Sequence, residues 1–137
     1  GLTADVDRRE RQWLDSLYVG AVAGDVAAVR AESDRVRLAR DAIRRALVLG
    51  ATEVLQGAAV LGVQILTADP SLLSEPAGDD PDRARVHYRL QALLAWARTT
   101  SGAPTDLVLA GIRRCTELGI GHPVAARRGP GQVRVHR

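Results

Sequence analysis

Lysine, phenylalanine, asparagine and methionine are absent from this 137-residue chain, and cysteine occurs once, as Cys115. Without lysine there is no Walker-type phosphate loop and no Schiff-base nucleophile. One cysteine excludes an intramolecular disulfide. Cys115 and three histidines cannot build a four-cysteine zinc site or one of two cysteines and two histidines. No G-x-G-x-x-G, G-x-S-x-G or H-E-x-x-H motif occurs. No pair of residues reads as nucleophile and base, so neither catalysis nor a cofactor or metal is expected. A lone cysteine fits a reducing, cytoplasmic setting. With no methionine, Gly1 reads as a processed start or the edge of a fragment, and no signal-peptide pattern is visible.

Aromatic residues are scarce as well: Trp13, Trp96, Tyr18 and Tyr88. The apolar 46% is small and aliphatic, led by 22 alanines, 17 leucines and 15 valines. Alanine and leucine favour helices. The fold class expected is therefore all-α, a bundle of about five helices. All 19 basic residues are arginine, a bias that points to a high-GC, bacterial-type genome.

Charge is unevenly placed. Residues 113–137 carry Arg113, Arg114, Arg127, Arg128, Arg134 and Arg137 against Glu117 alone, a net +5 within a chain of +3. Residues 69–82 carry five acids and no base. A basic end suits nucleic-acid phosphates or an acidic protein partner, or folds back on the chain's own acidic loop.

Helical periodicity divides the chain. A first helix is expected over Thr3 to Ala21, with Val6, Trp13, Leu17 and Ala21 on one face and Leu14 at its edge. Gly20 and Gly24 mark its exit, and Asp25 caps the next helix. From Val26 to Leu66 one apolar direction is kept by Val29, Val36, Ile43, Leu47, Val54, Leu61 and Ile65. That stretch is either one helix of roughly 60 Å or two helices meeting at Gly50. Its second half, about 51–66, is apolar nearly all round and reads as the central helix or as an interface. The seven residues above are the expected self-association surface, most simply that of a dimer. Gly50, Gly57 and Gly62 allow close helix approach. Glu53, Gln56 and Gln64, with no aromatic anchors, argue against a membrane span.

The acidic loop 67–81 contains three prolines and is expected to hold one turn near Ser71–Ser74. Asp80 and Pro81 open the next helix as N-cap and first residue. Its core stripe is Val86, Leu90, Leu93, Leu94 and Ala97, and it ends near Arg98. A further helix starts at Ala103 or Thr105, carries Val108, Ile112, Cys115 and Leu118, and stops at Gly119. Residues 1–120 thus read as one helical domain and 121–137 as a basic hairpin or arm, since residues 132–137 alternate at period two.

The helix before Leu118-Gly119-Ile120, followed by an arginine-rich hairpin with a Gly129-Pro130-Gly131 tip, resembles the recognition helix and wing of winged-helix DNA-binding domains. The likeness covers residues 104–137. It departs from that pattern upstream, where a long helix stands in place of a compact three-helix cluster. It implies DNA contact at this end of the chain, where the charge pattern makes Arg113, Arg114, Arg127, Arg128, Arg134 and Arg137 the expected phosphate contacts.

Other groups weigh towards structural roles. Asp79, Asp80 and Asp82 suit helix capping better than a cation site. Cys115 reads as a buried thiol, and His87 as a surface or half-buried residue flanking the core. Arg85, Arg89 and Trp96 share one flank, where arginine stems over a core-edge tryptophan are commoner than a base-stacking patch. Arg30, Asp34, Arg37, Arg40, Asp41, Arg44 and Arg45 read as a solvated ion-pair face. The function expected is that of a non-catalytic regulatory or scaffold protein that self-associates and contacts nucleic acid through its arginine-rich end. The alternative is a helical adaptor for an acidic protein partner.

Overall fold

The computed structural model describes residues 1–100, with the side chain of Thr100 left aside. Six α-helices and one 3-10 turn account for most of them, and no strand occurs among the described residues. The helices are α1 (Leu2–Val22), α2 (Val26–Ala31), α3 (Ser33–Arg37), α4 (Ala42–Leu55), α5 (Ala59–Thr67) and α6 (Pro81–Thr100). The turn, Pro70–Leu73, lies in the acidic loop. The all-α bundle is therefore as expected. The expected helix over 103–119, Cys115 and the hairpin of 121–137 lie outside the described residues.

The apolar periodicity of 26–66 is real, but the helix breaks elsewhere than at Gly50. The first break is at Glu32, between α2 and α3, and the second precedes α4. There Glu10 of α1 accepts the backbone N–H groups of Arg40 (3.1 Å) and Asp41 (2.9 Å), and Asp41 accepts Arg44 N–H at 3.1 Å. These carboxylates satisfy donors that a helix start leaves open. The third break is at Gly57, whose φ of +90° is left-handed. Ala58 N–H closes on Glu53 C=O at 2.9 Å, a glycine-terminated helix end. Gly50 sits inside α4 for a packing reason: a Cβ there falls 2.6 Å from Leu66 Cδ2. The reciprocal contact is at Gly62, where an added Cβ would fall 2.3 Å from Val54 Cγ2. The two glycines let α5 lie back along α4.

The central helix is accordingly α4, with Leu47, Val48, Ala51 and Val54 buried, and not the 51–66 segment. Around it pack Leu14, Tyr18 and Ala21 of α1, Val29 and Val36 of α2 and α3, Leu66 of α5, and the predicted α6 stripe. Leu14, placed at the edge by periodicity, is fully buried, whereas Val6 is exposed. Trp13 is half-buried; its Nε1–H donates to Glu32 (2.8 Å), and the Arg35 guanidinium lies 4.1 Å above the ring. Asp80 caps α6 by accepting Asp82 N–H at 3.0 Å, as its place before Pro81 predicts. No described helix is long and apolar enough to cross a membrane.

Candidate functional site

One face of α1 presents Arg8, Arg11, Gln12 and Asp15, which the helical repeat brings into line. Opposite it, the first turns of α6 present Asp82, Arg83, Val86 and His87. With the start of α4 and the loop residues Ser71, Leu72, Ser74 and Pro76, these enclose an open cleft of about 780 Å³. That volume lies in the range of small-molecule sites.

The cleft is organised by Arg44, which is 5% exposed. Its Nε donates to Asp15 (2.8 Å), Nη1 to Asp41 (3.0 Å), and Nη2 to both oxygens of Asp82 (2.8 and 3.0 Å). Burial alone disfavours the charged guanidinium. The bonds to Asp15, Asp82 and Asp41 outweigh it and raise the pKa above the ordinary arginine value. Arg44 therefore does not belong to a solvated ion-pair face; it clamps α1, α4 and α6 together. Of that expected face, Arg37–Asp34 (3.3 Å) is an exposed pair, and Arg30 bonds Gln56. Arg37 ends α3 before α4 begins, so Arg37 and Arg44 do not share the face of one continuous helix.

His87 is 5% exposed, more deeply buried than its place beside the core stripe predicts. Burial pushes its pKa below the usual imidazole value; Glu75 and the Leu72 backbone oppose this. The imidazole is neutral at pH 7, and its buried Nδ1 has no hydrogen-bond partner. The loop is held over it by Tyr88 O–H donating to Glu75 (2.6 Å) and Gln91 Nε2–H donating to Leu73 C=O (3.0 Å).

Asp79, Asp80 and Asp82 form no cation site: no group of three or more potential ligands occurs among the described residues. Arg89 is largely buried, 3.8 Å from Asp15 and 5.3 Å from the Tyr18 ring centroid, while Trp96 packs against the core. They form no exposed stacking patch.

The expected self-association residues divide sharply. Val29, Val36, Leu47 and Val54 are buried within the single chain, so these four are not surface, while the half-buried Ile43 packs on the same core and faces the cleft. Leu61 is exposed, Ile65 is half-buried, and Val60 joins Leu61 on the outside of α5. Periodicity cannot separate the two sets, because both share one helical direction. The six expected nucleic-acid-binding arginines, Arg113, Arg114, Arg127, Arg128, Arg134 and Arg137, lie outside the described residues. The cleft escaped sequence reasoning because its contacts span long separations: Asp15 and Asp82 are 29 and 38 residues from Arg44. No family model, curated protein or solved structure matches the chain.

Proposed function

We propose that this chain is a non-catalytic regulatory or scaffold protein that pairs with a second copy through α5 and contacts nucleic-acid phosphates through residues 113–137. The observation that carries the reading is the outer face of α5, where Val60 and Leu61 are 65% and 44% exposed. Gln64 and Thr67 are the only polar side chains on that helix. Uncovered apolar side chains on so apolar a helix favour association. Charge separation supports the second part. Residues 1–100 hold 13 arginines against 14 acids, so the excess positive charge lies in the C-terminal segment.

Light scattering tests the pairing. The parent protein is expected to exceed the 14.6 kDa monomer mass, and Leu61→Asp to return it to that mass. A monomeric parent overturns this part. Anisotropy with random duplex DNA across a salt series tests the other. Four to six arginine–phosphate contacts give a slope of log K against log salt of roughly −4 to −5. Replacing Arg127, Arg128, Arg134 and Arg137 with Gln should flatten it to about −2. An unchanged slope removes the C-terminal segment as the contact. Absence of duplex binding leaves the adaptor reading with an acidic protein partner.

A further inference from the structure

We infer that the cleft between α1, the 67–80 loop and α6 is a binding site for a small organic phosphate, gripped by Arg11 and Arg83 above the buried His87. Its acidic groups are already engaged. Asp15, Asp41 and Asp82 accept from Arg44, and Asp80 caps α6. Every carboxylate lining the cleft thus has an internal partner. The groups left over differ in kind. Arg11 and Arg83, on two different walls, make no ion pair or hydrogen bond with a described residue. Arg8 is held only by the exposed Asp5 at 3.3 Å. The Ser74 hydroxyl is likewise without a described partner, and His87 Nδ1 is buried without one. Open hydrogen-bonding capacity is therefore mainly of the donor type, which suits an anion.

Two features narrow the anion. A single guanidinium fork fills both oxygens of a carboxylate, whereas a phosphate monoester offers three peripheral oxygens. Arginines from two walls match the second. The cleft of about 780 Å³ also exceeds what a free phosphate fills. Its apolar lining, Ile43, Leu72, Pro76 and Val86, suits an organic body attached to that phosphate.

The three histidines supply a test that separates this site from the basic C-terminus. In a ¹H–¹⁵N spectrum of the imidazoles of the full chain at pH 7, inorganic phosphate and glycerol phosphate are titrated against sodium chloride of matched ionic strength. The expected result is a saturable shift of the His87 ring, reached at lower concentration with glycerol phosphate. The double variant Arg11→Gln/Arg83→Gln should raise the half-saturation concentration at least tenfold. If His87 stays still while His122 or His136 moves, phosphate binds the C-terminal segment and the cleft site is wrong. A double variant that responds like the parent overturns it as well. Equal response to the two probes removes the organic body from the proposal. Failure of duplex binding or of pairing through Leu61 leaves these outcomes untouched.

Discussion

Arg44 carries the largest consequence of any single side chain. Replacing it with Met leaves Asp15, Asp41 and Asp82 facing one another without their cation. Breaking a buried pair costs about 3–5 kcal/mol, and the lower end applies because Asp15 and Asp82 keep contact with water. Urea unfolding should therefore show a loss of about 3 kcal/mol for Arg44→Met. Adding Asp82→Asn should recover part of it, since the excess charge shrinks. His87 acts in the opposite sense, as a group kept neutral. Its folded pKa lies below 6.5, so the unfolded chain binds a proton first as pH falls. Stability linked to the neutral ring is complete above pH 6.5 and is lost as pH falls through that value towards the lowered one. The urea midpoint should drop between about pH 7.5 and 5.5 in the parent and drop less in His87→Gln. An equal drop in both would assign the effect to other groups.

Among the elements, the α4–α5 pair shows best what periodicity can and cannot reveal. The direction of the apolar face from Val29 to Ile65 was legible, because burial selects residues at helical spacing whatever the breaks. The positions of the breaks were not. Glycine marks a helix end at Gly57, where φ is +90°, and a close contact at Gly50, where Leu66 fills the space. One residue type serves both purposes, and only the partner distinguishes them. Likewise Asp80 before Pro81 was legible as a cap because its partner is two residues away. Glu10, which caps the start of α4 from another helix, was not. The glycines yield a paired prediction. Gly62→Ala gains about 1 kcal/mol of helix propensity but forces Val54 aside, and overpacking costs about 1–3 kcal/mol. Gly20→Ala, inside α1 with no atom within 4 Å of the new Cβ, meets no such resistance. Thermal melting should rise for Gly20→Ala and fall for Gly62→Ala.

At the scale of the whole molecule, the bundle spreads one continuous apolar pattern over two destinies, core and surface. Val54→Asp places a charge in the core and should cost several kcal/mol, about 3 or more, by denaturant unfolding. Leu61→Asp, on the exposed face, should leave monomer stability within about 0.5 kcal/mol while removing pairing. If both unfold the protein alike, α5 is covered within the chain and the pairing surface is lost. The class of fold was readable from composition and spacing, yet the cleft was not, because it exists only where residues 8–15, 41–44, 71–76 and 80–87 converge. That same division has a kinetic side. The α4–α5 hairpin closes within one short stretch of chain, whereas the Arg44 clamp must gather carboxylates from both α1 and α6. Loop closure makes the local hairpin the earlier event and the clamp the later one. Stopped-flow measurements should then find Gly62→Ala slowing refolding and Arg44→Met chiefly accelerating unfolding. Arg44 would thus set how long the native molecule lasts between openings, more than how quickly it forms.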